Sequence, residues 1–218
     1  MTYKYLLFDA DDTLFDFKRA QELSLNTLFS IYKLPSEAKS IYKQISHPLW
    51  LQLEKKEITL QQLKETRFKN LLAYYGLEND PTMEDKYEQI LSTHHELLDH
   101  VHEVLEILSK KYTLVLVSNG MPNIQHPRLK ESQIEQYFSH IFISEEIGVQ
   151  KPDIAFFNTV LNTINASNKE CLMIGDSLTS DIQGAKNANI DSCLLTQETK
   201  PFNTTYTIHS LEDLLQFL

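Results

Sequence analysis

Asp9-Ala10-Asp11-Asp12-Thr13 sets three carboxylates directly behind the apolar run Tyr5-Leu6-Leu7-Phe8. Acids crowded at the end of a strand are costly unless a counter-charge offsets them. A hard divalent cation such as Mg²⁺ takes carboxylate and carbonyl oxygens and would do so. The stretch also reads as a solvated acidic turn, since Asp is common in turns. Polar groups recur behind later apolar runs. Ser118-Asn119-Gly120 follows Val117, Lys151 lies in the stretch that follows Ile143, and Gly175-Asp176-Ser177 follows Ile174, with Asp181 close behind. Singly, each has a plain reading: Asn-Gly favours a turn, Lys151-Pro152-Asp153 makes a helix start, and Asp176 a loop acid. Together, each behind a strand, they offer acids, a hydroxyl, an amide-rich turn and a lysine at one rim.

The elements that must position them follow from hydrophobic spacing. Residues 3–8 predict a buried strand, and Leu14-Phe15-Asp16-Phe17 a turn or small flap. Over 18–99 the apolar residues keep helical spacing, as in Leu25, Leu28, Phe29 and Tyr32, or Phe68, Leu71, Leu72 and Tyr75. Pro35, Pro48 and Pro81 punctuate this region, and Thr59 with Gln62 fits a capping box. About four helices are expected there. From residue 100 helix and strand alternate: helix 101–108, strand 112–117, helix 123–136, strand 141–143, a helix capped by Asp153, strand 171–174, helix 181–188, strand 192–195, an edge strand 205–208 and a last helix. That pattern predicts an α/β fold, a doubly wound, mostly parallel sheet with a Rossmann-like core (1–17 and 100–218) carrying an inserted all-helical segment (18–99). Ligands of such sheets bind beyond the carboxyl ends of the strands. Neither a Gly-x-Gly-x-x-Gly fingerprint nor a Gly-Lys-Ser/Thr phosphate loop occurs. Of only 5 glycines, Gly120, Gly148, Gly175 and Gly184 fall in or beside the polar segments, where backbone must turn tightly or approach a ligand.

Composition narrows the partners. The net charge of −10 argues against a nucleic-acid duplex or an anionic membrane, both of which need clustered Lys and Arg. A small phosphorylated metabolite stays open, because a metal, a lysine and a few amides set the local potential. No apolar run has the length to span a bilayer. The N-terminus enters a strand without a signal-like segment, so a cytoplasmic location is expected. Cys171 and Cys193 sit in apolar runs and read as buried, inert thiols. No obligate protein partner is indicated.

The four separated motifs, in this order, resemble the haloacid dehalogenase-like superfamily of phosphohydrolases, and the helical insert resembles that family's first type of cap. Asp9 through Phe15, Pro48-Leu49-Trp50, and Ser144 through Pro152 look closer still to its pyrimidine 5′-nucleotidase-like branch. The resemblance implies a phosphomonoesterase in which Asp9 is the nucleophile and forms an aspartyl-phosphate, while Asp11 is the general acid and base. It implies that Asp9, the backbone carbonyl of Asp11 and Asp176 hold Mg²⁺ (or Mn²⁺). Ser118 and the amides of Asn119 and Gly120 would hold the phosphoryl oxygens. Lys151 would add a fixed positive charge, and Asp181 would orient Lys151 or a metal-bound water. Asp11 separates phosphatases from the family's dehalogenases, which lack an acid there. Asp12 stands where the family more commonly has glycine.

By the same resemblance the cap chooses the substrate, and Phe15, Phe17, His47, Trp50 and Arg67 are the candidate contacts, each with a packing role as the plainer reading. The expected substrate is a nucleoside 5′-monophosphate, pyrimidine for preference. A sugar-phosphate phosphatase or phosphosugar mutase shares the same core motifs, and a non-catalytic binding module would share the fold.

Overall fold

The structure, a computed structural model, describes residues 3–218. Six strands form one sheet: β1 (Tyr5–Phe8), β2 (Thr113–Ser118), β3 (Phe138–Ile143), β4 (Cys171–Gly175), β5 (Asp191–Leu195) and β6 (Tyr206–Ile208). Their order is β3-β2-β1-β4-β5-β6 and every neighbouring pair is parallel. Both faces are covered, which explains why the central strands read as continuous apolar runs rather than alternating ones. Leu6, Phe8, Leu114, Leu116, Leu172 and Ile174 point to one face and pack with Val101, Val104, Leu105 and Leu108 of α5 (Val101–Ser109). Leu7, Val115, Val117, Cys171 and Met173, one residue out of step, point to the other. They meet Phe156, Phe157 and Val160 of α8 (Ile154–Thr163). The period-two alternation of a strand thus loads two cores from one short run.

Strand order reverses beside β1, with β2 and β3 on one side and β4 to β6 on the other. This is the switch point where open α/β sheets bind ligands. Asp9 leaves β1 and Asp176 leaves β4 at this point, and the Asp9 amide donates to the Ile174 carbonyl at 2.9 Å.

Some elements differ from expectation. Helix α6 (Pro122–Glu131) stops short of residue 136, because Gln133 turns into the left-handed region at φ 60° and a 3-10 turn over Glu135–Tyr137 leads into β3. A single helical turn, α7 (Ser144–Ile147), fills the start of the stretch after β3 and is closed by Gly148 at φ 79°. A π-helical turn over Leu178–Ile182 precedes α9 (Gln183–Asn187). The last segment, Leu211–Gln216, is 3-10 rather than α-helical, and it buries Leu211 and Leu214. A three-residue repeat is enough to keep that pair on one side.

The chain divides into two compact units. One runs up to Phe17 and resumes at His95; the other is Lys18–His94. The return lies a few residues ahead of the expected position at 99/100 because the segment after His95 is tied to the flap. Asp16 N donates to Glu96 O at 3.0 Å, Leu98 N donates to Leu14 O at 2.8 Å, and Phe15 bridges Leu97.

The second unit is helical: α1 (Phe17–Ile31), α2 (Ala38–Glu54), α3 (Leu60–Tyr74) and α4 (Met83–Leu91). Its centre is aromatic, with Tyr42 stacked on Phe68 at 5.0 Å and Tyr87 edge-on to Phe68 at 5.2 Å. The capping box is present, with Gln62 N donating to Thr59 Oγ1 and Thr59 N to Gln62 Oε1. Arg67 is a correction to the list of substrate contacts. It is 3% exposed, forks onto both oxygens of Glu84 and lies 4.9 Å over the Tyr87 ring. The guanidinium is enclosed by its own unit. Among the described residues no helix is long and apolar enough to cross a membrane.

Candidate active site

Lys151 organises the rim. It is 1% exposed, and its ammonium donates to Asp9 Oδ1 at 2.6 Å, to Asp181 Oδ1 at 2.7 Å and to the Val117 carbonyl at 2.7 Å. Three acceptors satisfy its three protons. Burial disfavours the charge, but the Asp181 and Asp9 carboxylates outweigh it and hold Lys151 above the usual lysine range. Asp9 is the opposite case. Burial and the Asp181 and Asp176 carboxylates push its carboxyl well above the ordinary value, against the pull of Lys151. The ligand oxygens of Asp9, Asp176 and Asp181 lie within 4.8 Å of one another. Three carboxylates around one ammonium leave an excess of negative charge. An all-oxygen donor set of this kind suits a hard divalent cation.

The β4 end explains how Asp181 reaches Lys151. Ser177 caps the π-helical turn, its hydroxyl accepting from Ser180 N at 3.2 Å, while Ser177 N donates to Asp181 Oδ2 at 3.1 Å. A side chain on Gly175 would meet Asp181 Oδ2 at 2.3 Å, so that glycine is required by close approach. Both oxygens of Asp181 are engaged within the protein, which suits a residue that orients Lys151.

At the end of β2, Ser118 is buried and its Oγ accepts from Gly120 N at 2.9 Å and from Gln125 Nε2 at 3.1 Å. A hydroxyl with both acceptor positions filled has its proton left to donate. The Gly120 amide is therefore turned onto Ser118 rather than presented to a ligand, which changes its expected part as a direct phosphate donor. The Asn119 side chain ties two strand ends together, donating to Lys151 O at 2.8 Å and accepting from Lys151 N at 2.9 Å.

Asp11 stands two residues past Asp9, and each of its oxygens has a partner. Arg128 donates to Oδ1 at 2.5 Å and Gln125 Nε2 to Oδ2 at 2.7 Å. Asp12 follows at φ 58°, the left-handed conformation that Gly adopts freely and Asp tolerates. Its conformation accounts for an acid in a position that suits glycine.

Gln125 and Arg128 are absent from the sequence reading. Both are fully buried on α6, beside Ile124 and Leu129. That shared face is the signal that could have found them. Phe15 is corrected in the other direction: it is fully buried beneath Arg128, whose Cζ lies 4.1 Å from its ring centre, and this takes it out of the substrate contacts. Phe17 is half-buried, with Arg128 at 5.9 Å. On α2, His47 is exposed and Trp50 half-buried. Cys171 and Cys193 are buried free thiols, each pushed up to about 12 by burial, and they take no part in the site.

The haloacid dehalogenase-like hydrolase family matches residues 6–195. The HAD-hydrolase YfnB of Bacillus subtilis (strain 168) is 38% identical, with 99% of this chain and 95% of that protein covered. A crystal structure of YfnB bound to magnesium superposes with a TM-score of 0.92 over 99% of this chain and 98% of that one. The pyrimidine 5′-nucleotidase PynA of Streptococcus pneumoniae (strain ATCC BAA-255 / R6) is 37% identical, covering 100% of this chain and 96% of its own length. The pyrimidine 5′-nucleotidase YjjG of Escherichia coli (strain K12) is 28% identical over 100% of this chain and 99% of its own. With the motif order, the parallel sheet and these full-length matches in agreement, the chain belongs to the haloacid dehalogenase-like hydrolases.

Proposed function

We propose that this protein is a Mg²⁺-dependent phosphomonoesterase that works through an aspartyl-phosphate on Asp9. Its substrate is a small phosphorylated metabolite, a pyrimidine nucleoside 5′-monophosphate before others. The observation that carries the reading is Asp9 itself: a buried carboxylate at the switch point, paired with Lys151 and grouped with Asp176 and Asp181. The names of PynA and YjjG support the nucleotide assignment.

Asp9 attacks phosphorus, an Asp9 O–P bond forms, and the P–O bond to the leaving group breaks. The departing oxygen takes its electron pair and a proton from Asp11. Asp11 then accepts a proton from water as the water oxygen attacks phosphorus, the Asp9–phosphorus linkage opens, and inorganic phosphate leaves. Ser118 donates its free proton to a phosphoryl oxygen, and the Asn119 amide supports a second. Lys151 pulls Asp9 towards its ionised form, against burial and the neighbouring carboxylates, and holds it in place. Asp9, the backbone carbonyl of Asp11 and Asp176 would hold Mg²⁺, which supplies positive charge against the phosphate dianion.

The test is phosphate release from nucleoside monophosphates and sugar phosphates side by side, with Mg²⁺ or with chelator. Mg²⁺-stimulated release, greatest for pyrimidine 5′-monophosphates, is expected. No release from any phosphate monoester would overturn the activity; a sugar phosphate leading the panel would overturn the substrate.

A further inference from the structure

Asp11 is held by two residues that have no assigned part in the reaction. Arg128 is 0% exposed, and its Nη1 donates both to Asp11 Oδ1 at 2.5 Å and to Gln125 Oε1 at 3.1 Å. Gln125, also 0% exposed, uses one Nε2 to reach Asp11 Oδ2 at 2.7 Å and Ser118 Oγ at 3.1 Å. The space for this amide is made by Gly120, where a Cβ would come within 2.3 Å of Gln125 Nε2. Phe15 closes the other side, stacked under the guanidinium.

Desolvating a guanidinium is costly unless its partners compensate. Here a principal partner is an acid that needs a defined orientation, and the same amide contacts the phosphate-binding hydroxyl. The two residues are three apart on α6, so one rigid turn of helix fixes both contacts.

We propose that Gln125 and Arg128 are positioning residues for the acid–base group: they set the rotamer of Asp11 and couple it to Ser118, so that proton donor and phosphate donor keep one fixed geometry. The inference rests on the phosphatase reading above. Its consequence is specific. A misplaced Asp11 protonates the leaving oxygen poorly, which matters for a basic leaving group and little for one that departs as a stable anion. General-acid help of this kind contributes about 10²–10⁴-fold.

The experiment compares phenyl phosphate with p-nitrophenyl phosphate, similar in shape but different in leaving-group basicity, in the parent, Arg128→Lys and Gln125→Ala. The quantity read is kcat/KM, which covers steps only through formation of the aspartyl-phosphate. The expected result is a loss of about 10²-fold for phenyl phosphate and a loss at least about tenfold smaller for p-nitrophenyl phosphate. Equal losses on the two substrates, or no loss on either, overturn the inference while leaving the phosphatase reading intact. A parent that hydrolyses neither overturns both. Thermal melting reports folding, and Gln125→Ala, which keeps the buried ion pair, decides the matter if Arg128→Lys does not fold.

Discussion

Lys151 donates to Asp9 Oδ1 at 2.6 Å although 142 positions separate the two residues. The pair predicts opposite fates for its members. Asp9→Asn removes the proposed nucleophile and one of three crowded carboxylates. Turnover is expected to fall at least about 10³-fold, with the melting temperature unchanged or raised. Lys151→Met leaves Asp9 and Asp181 buried together without their cation, and about 3–5 kcal/mol of stability is expected to go with it. Phosphate release and thermal denaturation on the two purified variants check both statements.

Gly175→Ala tests the close approach behind Asp181. The added Cβ lies 2.3 Å from Oδ2 and 2.5 Å from Cγ of a fully buried side chain that cannot swing aside. Overpacking of this kind costs about 1–3 kcal/mol, and a displaced Asp181 shifts Lys151. The expected activity loss is about 10²-fold. Near-parental activity would show that Asp181 does not set the lysine.

In the helical unit the buried Arg67–Glu84 pair is asymmetric in its response to mutation. Glu84→Ala strands a buried guanidinium and is expected to destabilise by about 3–5 kcal/mol, whereas a well-packed apolar replacement of both partners, such as Arg67→Met with Glu84→Leu, costs far less. Urea denaturation of the single and double variants measures the difference.

Asp80 gives the helical unit a pH dependence. Thr82 and Tyr32 donate to its carboxylate, Lys86 adds a contact at 3.1 Å, and together they hold Asp80 well below the ordinary value of 3.8. A depressed carboxylate contributes stability above the unfolded value and loses it as pH falls through the folded one. Asp80→Ala is therefore expected to lower the melting temperature at pH 7. The gap from the parent should narrow as pH drops below about 3.8, and melting curves over pH 2 to 7 follow it.

The sequence by itself determines the order of the polar motifs behind the strands. Asp9, Asp11, Ser118, Lys151 and Asp176 are legible because each stands behind a run apolar enough to be a strand buried on both faces, and such sheets collect ligands at one end of their strands. The capping box at Thr59 and the Asp153 cap are legible for a similar reason, since both are local hydrogen bonds between near neighbours. Tertiary structure alone decides what a charged or aromatic side chain faces. Arg67 and Arg128 look alike in sequence, polar residues on helices with apolar neighbours. One closes on Glu84 inside the helical unit, and the other closes on Asp11, two residues past Asp9, where the chain leaves β1. Phe15 is a flap residue in sequence and a platform for Arg128 in space. A helix fixes which residues share a face, but what that face meets depends on packing between separate elements, 17 positions away for Arg67 and Glu84 and 117 for Arg128 and Asp11, which no local spacing encodes.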